Sequence, residues 1–212
     1  MTASLTMALR PWLEIWIRPR ATIRALLDAP PRVWVWVLPI LSGITQSLVQ
    51  AQSNGVGARA SATVILALAV PIGAAWGIIQ LFVLAASVYL VARWGGSTAT
   101  FAQIRTVIAW AAVPQVALLV CWLTGTALWG RLLFLNPEIA TSMGGPLFAL
   151  GVLVISLATV TGVIWSFVIM VKGVAEARGG SAWQAFGNII VAALMVGVAA
   201  MLLVAVSIPF IR

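Results

Sequence analysis

The sequence predicts an all-α polytopic membrane protein, a bundle of five transmembrane helices preceded by N-terminal amphipathic helices at the membrane interface. Three observations support this fold class. Hydrophobic residues make up 63% of the 212 residues and charged residues only 8%, so too little polar surface remains to cover a soluble globule of this size. Five continuous apolar stretches are each long enough to cross the ~30 Å hydrocarbon core as a helix. They differ from the short alternating segments that form transmembrane β-barrels.

The first predicted element is a cytoplasmic segment, residues 1–32, that lies at the interface. Trp12 and Trp16 recur at the spacing of one helical face, and charged residues recur on another face. Pro19 can begin a second short helix, which a pair of prolines then ends. We expect two short helices joined at Arg18, with indole rings at headgroup depth. The candidate residues for lipid or partner contact are Trp12, Trp16, Arg18, Arg20, Arg24 and Arg32.

The five apolar stretches form the second predicted domain, residues 33–212. The spans are expected at about residues 33–52, 62–92, 104–129, 147–171 and 183–211. Prolines favour bends or helix ends in or near these spans, at Pro39, Pro71, Pro114 and Pro209. The single cysteine, Cys121, lies within the third stretch, so we expect a buried, unreactive thiol.

The distribution of basic residues predicts the orientation. Placing the N-terminus in the cytoplasm puts nine of the twelve Lys and Arg residues on the cytoplasmic side, as the positive-inside rule requires. The C-terminus is then expected outside. The first ten residues lack an apolar core followed by a small-residue cleavage site, so no cleaved signal peptide is expected. Eleven Arg against one Lys, with abundant Ala, favours a bacterial gene and hence the cell (inner) membrane.

Residue types that carry most chemistry are scarce in this sequence. There is no His, there is one Cys, and the four acidic residues lie outside the predicted spans. We therefore expect no metal centre, no cofactor and no proton relay. The basic residues are scattered in short loops beside apolar stretches, which favours anionic lipid headgroups at the cytoplasmic face as partners and argues against nucleic acid.

Amide side chains occur within the predicted spans and allow two interpretations. They can form hydrogen bonds between packed helices, or they can line a polar path through the membrane. The residues are Gln46, Gln50, Gln80, Gln115 and Asn188. Gly73 and Gly77 add a small-xxx-small pattern, which permits close helix contact within the chain or in a homo-oligomer.

A short internal repeat links two cytoplasmic loops. Residues 92–97 read ARWGGS, and residues 177–181 read ARGGS. In each copy we expect glycine to end one helix, and Ser97 or Ser181 to cap the next. The candidate residues of these loops are Gly95, Gly96, Lys172, Glu176 and Gly179.

Three stretches together resemble a known family. Residues 16–28 are similar to a leading W-x-x-P-R-x-T motif. The second stretch is similar to a cytoplasmic loop followed by a proline-bearing span. The third stretch is similar to the pattern W…KG-x-x-E…S…A. The second stretch comprises Gly95, Gly96, Phe101, Gln103 and Pro114, and the third comprises Trp165, Lys172, Gly173, Glu176, Ala177, Ser181 and Ala185. These features resemble the Yip family, the Ypt/Rab-interacting proteins, in the broad form that includes bacterial members.

The resemblance implies a non-enzymatic membrane protein with five spans, a cytoplasmic N-terminus and a role described through partners, trafficking and membrane organisation. One departure limits what it implies. The eukaryotic branch carries an Asp-Leu-Tyr-Gly-Pro signature, and the sole tyrosine here, Tyr89, lies in the second predicted span. Rab binding is therefore not expected.

Two main hypotheses about function remain. The first is a non-enzymatic scaffold or adaptor that acts through lipid contacts and an unidentified membrane or cytoplasmic protein partner. The alternative is a small oligomeric channel or transporter with a polar path lined by the intramembrane Gln and Asn side chains. A lipid-modifying enzyme ranks third. The scaffold and channel hypotheses differ in what they require of the amides. The amides pair with one another in the first and converge on a cavity in the second.

Overall fold

The computed structural model describes residues 11–28 and 33–207, and these residues contain helices and no strand. Two single 3-10 turns, Val56–Ala58 and Gly130–Phe134, join longer helices. The α-helices are α1 (residues 11–17), α2 (Pro19–Leu27), α3 (Trp34–Ser53), α4 (Ala62–Trp94), α5 (Phe101–Ala111), α6 (Val113–Trp129), α7 (Pro137–Arg178) and α8 (Ala182–Ser207).

Five helical segments of the described chain are long and apolar enough to cross a membrane. They are Trp34–Ser53, Ala62–Trp94, Phe101–Phe134, Glu138–Arg178 and Ala182–Ser207. This confirms the predicted fold class, an all-α protein with five candidate spans. The predicted end of the fifth span at residue 211, and the bend or end at Pro209, lie outside the described residues.

The third span consists of two helices, α5 and α6, because of Pro114. A proline has no N–H to donate to the carbonyl four residues earlier, so it fits best in the first turn of a helix, where no such bond is lost. Pro114 lies in the first turn of α6, and the Ala112 N–H bonds instead to the Ala109 carbonyl, at 3.2 Å. Pro39 and Pro71 lie inside continuous helices.

The fourth span begins earlier than the sequence predicts. Helix α7 starts at Pro137, whereas the apolar stretch starts at about residue 147. Gly145 interrupts it with φ 70° and ψ −173°, a conformation that glycine adopts readily. A glycine followed by Pro146 is typical of a loop. The hydropathy pattern therefore does not show that the helix begins before them.

The helices group into two compact units. Unit 1 comprises Met1–Arg32, Leu81–Ile108 and Ile169–Arg212, and unit 2 comprises Val33–Gln80 and Ala109–Val168. Among the described residues, unit 1 contains α1, α2, the second part of α4, most of α5, the end of α7 and α8. Unit 2 contains α3, the first part of α4, α6 and most of α7.

The core of unit 2 forms where α6 meets the 3-10 turn that follows it. Trp122 and Phe134 stack with ring centroids 6.3 Å apart. The buried cluster comprises Leu48, Ile65, Ala69, Leu118, Trp122, Leu133, Phe134 and Ile155. Cys121 is exposed, so the prediction of a buried thiol is wrong. Leu118, Trp122 and Gly125 repeat at helical spacing on the buried face of α6, which turns Cys121 away from it.

Helices α3 and α4 meet within unit 2 through glycine. A Cβ on Gly43 would overlap the Gly73 carbonyl oxygen, and a Cβ on Gly77 would overlap the Pro39 carbonyl. The backbones therefore touch directly, as small residues permit. The pattern of Gly73 and Gly77 permits close helix contact either within the chain or in a homo-oligomer. The structure shows the contact within the chain.

Candidate functional site: an arginine–glutamate cluster

The N-terminal segment folds as two short helices, as the sequence predicts. Arg18 separates them with φ −127° and ψ 57°, and Pro19 occupies the first turn of α2. A proline there loses no hydrogen bond and already has a helical φ. The Thr22 hydroxyl donates to the Arg18 carbonyl at 2.9 Å, which ties the first turn of α2 to the junction.

One face of this segment packs into unit 1. Ile15 of α1 and Ile23 of α2 are fully buried, and Leu26 is nearly so. Ile23 packs where α7 carries a glycine: a Cβ on Gly173 would lie 3.4 Å from Ile23 Cγ1 and closer still to Val107 Cγ1. The missing side chain at position 173 leaves room for α2 and α5 to approach α7.

The other face of α2 carries two arginines that bind one carboxylate. Arg20 Nε donates to Glu176 Oε2 at 2.7 Å, and Arg24 Nε donates to Glu176 Oε1 at 2.5 Å. Because the arginines are four residues apart, they lie on the same face of α2. Arg20 Nη2 also donates to the Gly180 carbonyl at 3.2 Å. The pairing fastens α2 to the end of α7 and to the loop after it.

The carboxylate and the arginines differ in their exposure. The Glu176 side chain is 10% exposed, whereas those of Arg20 and Arg24 are 54% and 69% exposed. The hydrogen bond to Glu176 raises the pKa of Arg24 above its ordinary value, with a smaller contribution from the charge of Asp28. The Arg24 guanidinium therefore carries a full positive charge at neutral pH.

The loop at Gly95 and Gly96 and the loop at Gly179 and Gly180 are the two glycine loops. Each ends the helix before it in the same way. Gly96 has φ 74° and Gly179 has φ 64°. The next residue in each loop donates back to the preceding helix, Ser97 N–H to the Ala92 carbonyl and Gly180 N–H to the Ala175 carbonyl, both at 3.0 Å. This pattern is a Schellman C-cap. Gly96 therefore corresponds to Gly179, one residue away from the alignment that the repeat suggests.

The helices that follow these loops begin with matching capping boxes. Thr100 and Gln103 exchange backbone-to-side-chain bonds at 2.8 and 3.3 Å, and Ser181 and Gln184 do so at 3.2 Å each. The prediction that Ser181 caps a helix is confirmed, and the same prediction for Ser97 is wrong. The Ser97 hydroxyl instead accepts from Ala99 N–H at 3.1 Å within the loop, because the first loop is longer.

A third arginine connects the loops. Arg178 Nη1 donates to the Gln184 carbonyl at 3.2 Å, and a Cβ on Gly95 would lie 3.2 Å from Arg178 Nη2. Arg178 is not among the site residues predicted from the sequence. Its position at the end of a long apolar helix beside a glycine pair could have suggested it, since helix-terminal arginines often bond to nearby carbonyls.

Of the predicted interface residues, Arg20 and Arg24 form the ion pairs of this cluster. Trp12 and Trp16 are half-buried, and Arg18 and Lys172 are exposed. Arg32 lies outside the described residues. The contacts with Glu176 therefore involve Arg20 and Arg24 from the predicted set, together with the loop after Gly179.

The intramembrane amides are partly paired. Gln46 Nε2 donates to Gln80 Oε1 at 2.8 Å, and Trp76 Nε1 donates to Gln46 Oε1 at 3.2 Å, all within unit 2. Gln50 Nε2 donates to Asn54 Oδ1 at 3.3 Å, near the end of α3. Sequence analysis missed Trp76, which lies four residues before Gln80 and so shares its helix face.

The other two predicted amides have different surroundings. The Gln115 side chain is half-buried, and its backbone carbonyl accepts from the Thr45 hydroxyl at 3.0 Å. Asn188 lies on α8 in unit 1, where its buried Nδ2 has no hydrogen-bond partner among the described residues. Unit 2 therefore brings Gln46 and Gln80 together, while Asn188 belongs to the other unit.

Five apolar helices and a polar N-terminal segment fastened to the loops define a multi-pass membrane protein. A family model for the Yip1 domain matches residues 13–205, which includes α2, both glycine loops, the first four candidate spans and all but the last two residues of the fifth. The chain therefore belongs to the Yip1 family, and the resemblance found in the sequence is confirmed. Comparisons with curated protein sequences and with solved structures give no match.

Proposed function

We propose that this chain is a non-enzymatic scaffold or adaptor of the cell (inner) membrane, with its N-terminus in the cytoplasm and its C-terminus outside. The working surface is the exposed part of unit 1 that the N-terminal segment and the two glycine loops form together. It recruits a protein partner and contacts the adjacent lipid. The excess of basic residues on the proposed cytoplasmic side supports this orientation.

The observation that carries the proposal is the bonding of Arg20 and Arg24 to Glu176. It joins the first family-like stretch to the third, although they are more than 150 residues apart in sequence. The approach of Arg178 to Gly95 adds the second stretch to the same unit. A fixed arrangement of exposed loops is useful for binding a partner and contributes nothing evident to conduction through the spans.

The pairing of the amides also supports a scaffold over a channel. A polar path needs side chains whose hydrogen-bonding groups face a water-filled lumen. Gln46 and Gln80 instead bond to each other, and Gln46 also accepts from Trp76. These contacts are typical of helix packing inside a membrane.

Site-specific photo-crosslinking in native membranes tests the proposal. A photoreactive residue at Thr98 or Lys172, both exposed in unit 1, is expected to give a discrete protein adduct. The matched control position is Ala58, an exposed loop residue of unit 2. The adduct should be lost in Glu176→Gln, because the surface depends on the docked segment. An adduct that is equally strong from Ala58, or no protein adduct from unit 1, would contradict the proposal.

A further inference from the structure

We propose that Arg20 and Arg24, held in place by Glu176, bind the phosphate group of an acidic phospholipid in the membrane that contains the chain. The inference rests on the proposed function and names the lipid partner of the same surface. The arginines are the binding residues. Glu176 is a positioning residue, because it acts through the two guanidinium groups.

The donors that Glu176 leaves unused point to an anionic ligand. Glu176 binds the Nε–H of each arginine, and of the Nη groups only Arg20 Nη2 has a partner, the Gly180 carbonyl, among the described residues. Both Nη groups of Arg24 and Nη1 of Arg20 remain available on side chains that are more than half exposed. Guanidinium groups bind phosphate oxygens through such paired N–H donors.

A shared carboxylate also brings the two cations together. Two arginines on successive turns of a helix repel each other and normally extend in different directions. Glu176 holds both Nε atoms within 2.7 Å of its two oxygens, so the unused Nη groups stay on neighbouring positions. A single phosphate group presents several oxygens at a comparable spacing and can accept from both arginines.

The charge of unit 1 favours an anion. Its described residues include seven basic side chains and three acidic ones, whereas those of unit 2 include two basic and one acidic. Besides Glu176, the charge of Asp28 also acts on Arg24. Lys172 lies one turn before Glu176 on the same face of α7, and it is exposed. An anionic headgroup would compensate this excess of positive charge.

The neighbouring helix identifies the bilayer as the source of the phosphate. Leu13 and Ile17 of α1 are 68% and 83% exposed, and they lie one turn apart on the same face. Ile15 of the same helix is fully buried in unit 1, so α1 is fixed with its apolar ridge turned outward. An apolar ridge directly before a pair of exposed arginines is the pattern of a helix lying at the headgroup level.

Direct binding measurements on the purified full chain in neutral detergent test the inference. The probes are a short-chain phosphatidylglycerol, the matching phosphatidylcholine and inorganic phosphate. Phosphatidylglycerol should bind more tightly than either of the others, because it offers both the charge and the acyl chains. Arg24→Gln should weaken its binding about fivefold, the usual contribution of one basic residue near an anionic surface. Arg59→Gln, an exposed arginine of unit 2, should leave binding unchanged.

The variant Glu176→Gln distinguishes a built site from general charge attraction. It makes the surface more positive, so simple attraction predicts tighter phosphatidylglycerol binding, whereas loss of positioning predicts weaker binding. We expect weaker binding, with Glu176→Asp intermediate. Circular dichroism and gel filtration of each variant establish that it is folded. Should Glu176→Gln aggregate, the comparison of Arg24→Gln with Arg59→Gln decides.

The outcomes separate this inference from the proposed function. Equal binding of phosphatidylglycerol and phosphatidylcholine, or tighter binding by Glu176→Gln, would overturn the lipid site and leave protein crosslinking from Thr98 or Lys172 unaffected. Inorganic phosphate binding as tightly as phosphatidylglycerol would also overturn it, because the source would then be a free anion. Loss of the crosslinks with lipid binding intact would remove the adaptor function and support the lipid site.

Discussion

Glu176 holds more of unit 1 together than either of its partners does. Removing Arg20 or Arg24 leaves one ion pair in place, because each arginine bonds to a different oxygen of the carboxylate. Removing the carboxylate leaves two positive charges side by side on α2 without a counter-charge. Helix α2, which buries Ile23 and Leu26 in unit 1, then loses both of its ion pairs to α7. When either arginine is removed, the nearly buried carboxylate keeps one partner and is not left as a costly unpaired charge, whereas removing the carboxylate breaks both ion pairs at once. Substitution at position 176 is therefore expected to weaken the docking of α2 more than substitution at position 20 or 24 does.

The pair formed by Gln46 and Gln80 permits a second test at the same scale. A double-mutant cycle with Gln46→Leu and Gln80→Leu should give a coupling free energy of about 1 kcal/mol in unfolding, as found for hydrogen bonds between membrane helices. The single variants should retain the fold, since leucine fills a similar volume. The unfolding free energy is measured in bicelles or detergent micelles.

The control cycle combines Gln80→Leu with Gln50→Leu. Gln50 bonds to Asn54 at the end of its own helix and makes no bond to Gln80, so this coupling should be close to zero. Equal coupling in the two cycles would contradict the pairing. A flux of ions or small solutes through liposomes that either Gln46→Leu or Gln115→Leu abolishes would favour the channel alternative instead.

At the scale of elements, glycine decides how closely the helices approach. The contact between α3 and α4 joins backbone to backbone at Gly43, Gly73 and Gly77, and no side-chain rearrangement can make room for a Cβ there. By contrast, a Cβ on Gly197 of α8 meets nothing within 4 Å. The same Gly→Ala substitution should therefore have different effects at the α3–α4 contact and at Gly197.

Gly77→Ala is expected to destabilise the protein by about 1–3 kcal/mol, the usual cost of overfilling a packed interface. Gly197→Ala should be neutral or slightly stabilising, because alanine favours the helix without a clash. The thermal midpoint of the two purified variants in the same detergent compares them directly. A Gly77→Ala midpoint at or above that of Gly197→Ala would show that the α3 and α4 backbones are further apart than described here.

For the whole molecule, hydropathy and turn chemistry predict the architecture but not the tertiary contacts. The five spans follow from continuous apolar runs, and Pro19 and Ser181 begin helices where their chemistry requires it. The helical start of α7 was missed because Gly145 and Pro146 interrupt the pattern. The bonds from α2 to Glu176 could not be predicted, since spacing within one sequence does not show which distant loops meet. The side of α6 that carries Cys121 was ambiguous because both faces are apolar.

The orientation of the molecule can be tested with single cysteines in a Cys121→Ala background. Thr98→Cys places a thiol in the loop between α4 and α5, and Ala58→Cys places one in the loop between α3 and α4; both positions are exposed. A membrane-impermeant maleimide applied to intact cells should label Ala58→Cys and should label Thr98→Cys only after lysis. The opposite labelling pattern would reverse the proposed orientation.

The central claim is that the N-terminal segment is docked on unit 1 through Glu176, and amide hydrogen exchange over residues 11–28 tests it most directly. Docked helices exchange slowly, whereas a short helix released into solvent is marginal and exchanges fast. The measurement uses the full chain in lipid nanodiscs, with Glu138→Gln as the control because Glu138 is an exposed acid of unit 2. We predict slow exchange in the unaltered protein and in Glu138→Gln, and fast exchange confined to this segment in Glu176→Gln. Fast exchange of the segment in the unaltered protein, or slow exchange unchanged by Glu176→Gln, would contradict the claim.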